Sequence, residues 1–167
     1  MACQASSPAE PTAVLLIPFR LGATRYAVNA ATVQQVLPLP RLHPVPEAAP
    51  WMRGVFLFHG AVMPVLDLCQ LACGQRCPDY LSSRLLLVGS RENASSVPAA
   101  ALLAEGVTQA VRAEAVELTQ PDPGLAGPTY AGPWVELDGQ LVQVIAWECL
   151  VTPEVRALYS AAWVTDR

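Results

Sequence analysis

The side chains here with most chemical potential are Cys69, Cys73 and Cys77, spaced four residues apart, and the pair His59 and Asp67. On a continuous helix the three cysteines would lie along one side, where thiolates can hold a soft metal such as zinc. Gly74 and Pro78 interrupt any such helix, no fourth ligand is evident, and the spacing matches no common zinc or cluster motif. Small apolar filling is the better reading of the three. His59 could act as a general base beside Asp67 or a cysteine. Acyl transfer also needs a nucleophile in a strained, exposed turn with an oxyanion site, and no glycine-flanked serine or cysteine offers one. The other histidine, His43, stands among prolines. Asp67 at a strand end invites comparison with a phosphoacceptor, but the acidic cluster, lysine and α/β pattern of such a domain are missing, and capping the following helix suits it better. Neither G-x-x-x-x-G-K-[ST] nor G-x-G-x-x-G occurs to cradle a phosphate. Residue chemistry therefore points away from an enzyme: no catalytic residue, no metal, no cofactor and no small-molecule substrate are expected.

These residues hang on a clear local pattern. Residues 54–68 read as two short apolar strands joined by a His59-Gly60 turn, with Asp67 ending the second and glycine supplying the positive φ that a two-residue hairpin needs. Residues 13–21 and 25–28 read as an earlier strand pair around a turn at 22–24, with Pro18 suggesting an edge strand or a bulge. Residues 29–35 predict a short helical turn capped by Asn29, which would put Val33 and Val36 on one face. Five prolines between Pro38 and Pro50 give an extended loop, and residues 50–53 predict a helical turn opened by Pro50. Residues 68–74 predict a short helix closed by Gly74. The apolar run 84–89 predicts a strand buried on both faces and 91–97 a polar loop; 99–111 holds apolar residues around Glu105-Gly106, and 113–133 is a loop-rich stretch. Asp138-Gly139 marks a second hairpin over 134–145. A terminal helix is expected from Thr152, with Val155, Leu158, Tyr159 and Ala162 as its apolar stripe.

The 167 residues suit one domain or two small subdomains sharing a core. Hydrophobic residues make up 53% and charged residues only 14%, against roughly 25% in an average soluble domain. A surface so poor in charge is expected to meet partners. The net charge of −4 and the lack of any Lys/Arg cluster along the chain argue against nucleic acid or an anionic membrane surface. The apolar run 13–17 is too short for a membrane span or the core of a secretion signal, so the five cysteines are expected to be reduced thiols in the cytoplasm. Many short strands, frequent Gly/Pro turns and little helix describe a mainly β chain built as a small barrel or pair of barrels.

Residues 54–68 also resemble the signature of the CheW family, the small adaptors that couple bacterial chemoreceptors to a histidine kinase. Gly54, Gly60, Pro64, Asp67 and Leu68 match it, while Leu57 and His59 stand where asparagine and arginine are usual. The strand, Leu-Gly and Tyr-Ala-Val opening near residue 26, the proline-aromatic turn at Pro50-Trp51 and the Glu105-Gly106-Val107 segment extend the likeness over roughly residues 13 to 160. The resemblance implies two five-stranded SH3-like barrels sharing an apolar core, with short helices and a C-terminal helix. Residues 1–12, rich in Ala, Ser, Pro and Glu and without periodicity, read as a disordered tail; the resemblance sets the CheW-like domain at 13–163 and leaves a tail at 164–167.

The same resemblance implies a non-catalytic adaptor, cytoplasmic and recruited to membrane receptor arrays without inserting into the membrane. Its partners would be the regulatory domain of a CheA-type histidine kinase and the cytoplasmic tip of a chemoreceptor. Val33, Val36 and Val62 each read singly as core; by resemblance they border, with His59, the groove that accepts the receptor helix. Interface or conformational roles are implied for Gln35, Gly54, Gly60, Asp67 and Gly106. The substitutions at 57 and 59, with residues 140–143 and 153–158, look more like the CheW-like proteins of alternative systems, such as the surface-sensing Wsp-type pathway that controls cyclic-di-GMP. Two other classes rank below this: an SH3-like peptide module, which needs an exposed aromatic groove, and a thiol- or metal-dependent hydrolase.

Overall fold

The computed structural model describes residues 13–89, 98–113, 130–153 and 155–157. The expected tails, the polar loop 91–97 and the stripe residues Leu158, Tyr159 and Ala162 lie outside them. Among the described residues ten strands form two five-stranded sheets. The first contains β1 (Val14–Leu21), β2 (Thr24–Asn29), β8 (Val111–Ala113), β9 (Ala131–Leu137) and β10 (Gln140–Ile145), in the order β8-β1-β2-β10-β9. The second contains β3 (Val33–Pro38), β4 (Met52–Phe58), β5 (Ala61–Asp67), β6 (Arg84–Val88) and β7 (Ala100–Ala104), in the order β3-β6-β7-β5-β4. Each sheet is antiparallel except for one parallel pair, β2 with β10 and β5 with β7. The mainly β architecture of two five-stranded units is therefore present.

Strand alternation decides which side chain enters which core. On β1, Leu16 turns into a small cluster with Ala27, Val135, Leu137 and Val142, inside the first sheet. Its neighbours Ile17, Phe19 and Leu21 turn the other way and pack with Leu66, Leu85 and Leu102 of the second sheet. That larger cluster is the shared core. β6 and β7 are its centre: Leu85 to Val88 and Ala100 to Ala104 are wholly buried, as an apolar run without alternation requires. An isolated bridge between Arg20 and Glu105 stitches the sheets together, and Gly106 follows it with φ +59 and donates to the Ser82 carbonyl at 3.2 Å.

Three local expectations are corrected. The helical turn after Asn29 is a single 3-10 turn, Ala30–Thr32, capped by the Asn29 side chain accepting from Ala31 N–H at 2.9 Å. Val33 to Pro38 is strand, because β-branched valines and the free edge of β6 favour a ladder over a second helical turn. The turn at Pro50 closes through Met52 N–H to Ala49 C=O at 2.9 Å, and strand β4 has begun by Met52. β1 is not an edge strand, but β8 reaches only Val14 to Leu16, so Pro18 sits where no strand asks for its missing N–H. The capped helix α1 (Leu68–Cys73), its Gly74 stop and the Asp138-Gly139 hairpin are where the sequence puts them. Thr152 Oγ1 caps the start of the terminal helix, accepting from Val155 N–H at 3.4 Å.

Candidate functional site

The β4–β5 hairpin presents two different ends. At its tip His59 has φ 48 and Gly60 φ 81, the pair of left-handed residues that matches a two-residue turn to strand twist. Histidine is among the non-glycine residues that tolerate this conformation. Its ring meets Phe58 edge-on with centroids 4.3 Å apart, which holds it out at the tip. Behind it Phe56 points into the core while Leu57, 69% exposed, points out beside its cross-strand partner Val62. Leu57, Val62 and His59 thus form a small apolar face with one polar marker, on the β4–β5 hairpin at the edge of the second sheet.

The other residues singled out from the sequence are placed as follows. Val33 is buried in the shared core, while Val36 on the same strand is 41% exposed and paired with Leu86. Gln35 is exposed beside a register shift that separates it from Val33. β3 and β4 are opposite edges of the sheet order, so strand pairing does not bring Val33 and Val36 beside His59 and Val62. The outward-facing members of the set are Val36, His59 and, half-buried, Val62.

At the far end of the hairpin Asp67 is fully buried yet fully engaged. Its Oδ2 receives Arg53 Nη1 at 2.8 Å, and its carboxylate also accepts the N–H groups of Gln70 at 3.1 Å and Cys77 at 3.0 Å. Arg53, whose side chain is 8% exposed, donates as well to the Cys77 carbonyl at 3.0 Å and to Asp79. One ion pair therefore ties together β4, the start of α1 and the loop behind α1. A buried charge is tolerable only with such pairing and hydrogen bonding. His59 and Asp67 stand at opposite ends of β5, roughly 20 Å apart at 3.3 Å per residue, so no dyad forms.

Asp67 also lies against two buried thiols: its oxygen and the sulfurs of Cys69 and Cys77 are all within 4.8 Å of one another. The hydrogen bond Cys77 accepts from Cys69 lowers the Cys77 thiol, while that bond and burial push Cys69 well up. A metal would have to displace Arg53 and two backbone donors from the carboxylate, so the three residues fit a structural clasp better than a metal centre. Cys73 is separated from the row, exposed, with Sγ donating to the Leu21 carbonyl at 3.3 Å. Helix α1 stops at Gly74 and the chain turns back to bring Cys77 under Asp67, which is why the regular spacing does not survive. Cys69, Cys73 and Cys77 are all free thiols. Among Cys69, Cys73 and Cys77, iodoacetamide should label Cys73 alone in the folded state, read by peptide mass spectrometry; equal labelling of Cys77 would show that the clasp opens.

Sequence reasoning missed a third feature. A cleft of about 550 Å³ opens between the proline-rich strap after β3 and the loop before β6. Arg41, Arg53, Arg76 and Arg84 line it, with Asp79 as the carboxylate among them. Spread over more than forty positions, they form no run, and the absence of a linear cluster is overturned by folding. The one available signal was that every cation in the chain is an arginine.

A family model described as "CheW-like domain" matches residues 16–154. Protein PilI of Pseudomonas aeruginosa is 31% identical over 72 residues, 43% of this chain, and the match spans only 40% of that relative's length. The crystal structure of scaffolding protein TtCheW from Thermoanaerobacter tengcongensis superposes with a TM-score of 0.67 at 17% identity, covering 85% of this chain and 90% of the other, which is a likeness of fold.

Proposed function

The chain belongs to the CheW-like domain family, and from that premise we propose that it is a non-catalytic adaptor linking a chemoreceptor to a CheA-type histidine kinase. The observation that carries this is the outward-facing Leu57–Val62 pair with His59 at its tip, an apolar strip at a sheet edge. A receptor helix is held by such a strip through apolar anchors, with a few polar contacts setting its register. Val36 extends the exposed apolar surface on the other sheet edge, and Val33 supports β3 from the core side. The kinase regulatory domain docks on one barrel. The adaptor works from the cytoplasm, recruited to membrane receptor arrays; among the described residues no helix is long and apolar enough to cross a membrane. Receptor state then biases kinase activity as a coupling free energy of about 1–3 kcal/mol carried through two interfaces.

The test is a calorimetric titration of the chain against the kinase regulatory domain from the same cell. Saturable one-to-one binding, unchanged by a chelator, is expected. No binding at tens of micromolar, with the fold intact, would remove the adaptor reading. His59 bears on which pathway is served, and a surface-sensing Wsp-type array is the reading its departure from arginine favours. His59→Arg should change receptor preference several-fold and alter fold stability less, because the residue is exposed at a turn tip and only its φ of 48 and its ring contact with Phe58 are disturbed. A receptor titration identical for both proteins would sink that assignment.

A further inference from the structure

We propose that the cleft between the strap after β3 and the loop before β6 is a docking site for an acidic, extended segment of a partner protein. It lies at the Arg53 end of the β4–β5 hairpin, away from the His59 tip, and goes beyond the receptor contact proposed above. Charge complementarity is the first argument. The chain carries a net −4, yet four of its ten arginines converge here around one carboxylate. Arg53 is spent on Asp67 and Asp79, and Arg84 donates to the Leu81 and Ser83 carbonyls. Among the described residues Arg41 and Arg76 have no ion pair, and both are exposed at the rim. Two unpaired guanidinium groups facing a walled space select carboxylates, which they hold through paired N–H donors.

The walls decide between a peptide and a compact anion. Phosphate sites are usually built from backbone N–H groups at glycine turns or helix starts. Here Pro38, Pro40 and Pro44 remove N–H donors from the strap, and no glycine lines the cleft. The cleft therefore offers side-chain guanidinium donors in place of a backbone cradle, which suits carboxylates carried on a chain. Beside them Tyr80 is 68% and Leu81 92% exposed, lining the same cleft. Adjacent large apolar side chains in the open are a shelf for a partner's apolar residue, which a bare anion would leave uncovered. The volume lies within the range of clefts that hold ordered ligands.

The experiment uses the full chain and a fluorescein-labelled peptide of repeating Glu-Pro-Glu-Leu, followed by anisotropy, with the Lys-for-Glu peptide and pyrophosphate as comparison ligands. Saturable binding of the glutamate peptide is expected, weakening as salt is raised. Arg41→Glu combined with Arg76→Glu should weaken it by roughly tenfold or more, since close charge pairs at interfaces couple at that level or above. Neither side chain holds the fold, so the variant's unfolding midpoint and its titration with the kinase regulatory domain should match the parent. Failure of that kinase titration in both proteins would count against the adaptor reading and leave the cleft result standing. Equal affinity of parent and double variant, equal binding of the lysine peptide, or binding of pyrophosphate without binding of the peptide would each overturn the proposal.

Discussion

Arg53→Ala is expected to destabilise the fold by about 3–5 kcal/mol, the usual consequence of removing one partner from a buried ion pair. Asp67 would be left wholly buried with two backbone N–H groups and no counter-charge. The same guanidinium holds the Cys77 carbonyl, so the loop behind α1 loses its tie to β4 as well. Asp79→Ala gives the internal comparison. That carboxylate pairs with the same arginine but its side chain is 73% exposed, and an exposed ion pair contributes about 1 kcal/mol or less. Urea unfolding of the three proteins measures both terms. A loss under about 1 kcal/mol for Arg53→Ala would mean that water or another cation replaces the arginine, and the clasp would not be what closes this end of the barrel. Arg53→Lys should fall between, because lysine keeps the charge but cannot fork between Asp67 and Asp79.

The contrast between this clasp and the hairpin tip explains what could be read before folding. The His59-Gly60 turn, the Asp67 cap and the Asp138-Gly139 hairpin are local: the residues that need a conformation are the ones that supply it, a few positions apart. The buried run on β6 was equally visible, since an unbroken apolar stretch has one cheap destination. β3 was misread because Val33 to Gln35 are compatible with a helical turn, and only pairing with β6, some fifty residues away, decides for strand. Arg53 with Asp67 and Asp79 is likewise non-local, separated by 14 and 26 positions, and no period or motif links them. The regular spacing of Cys69, Cys73 and Cys77 misled in the opposite direction: it suggested one row, whereas Gly74 ends the helix and only the outer two meet. The arginine cleft is the extreme case, since its cations come from the strap, β4, the loop after α1 and the start of β6.

Gly54→Ala should cost about 2–5 kcal/mol, the sum of two separate penalties. Gly54 has φ +145, a region that side-chain-bearing residues rarely occupy, and a Cβ there would lie 2.6 Å from the His43 carbonyl oxygen. That oxygen cannot step aside freely. It accepts from Val55 N–H at 2.9 Å while His43 N–H donates to the Val55 carbonyl at 2.8 Å, and this exchanged pair is what lays the proline-rich strap against β4. Gly60→Ala isolates the conformational part, because its φ is +81 but nothing lies within 4 Å of the added carbon, so about 1–2 kcal/mol is expected. Urea unfolding of both variants therefore separates strain from collision. Because the strap is one wall of the arginine cleft, Gly54→Ala should also weaken binding of the acidic peptide although it removes no charge, whereas Gly60→Ala should leave that binding unchanged. Equal stability losses for the two glycines would mean that the strap yields around the new methyl group, and the cleft would then be a compliant trough whose arginines, not its walls, set what it accepts.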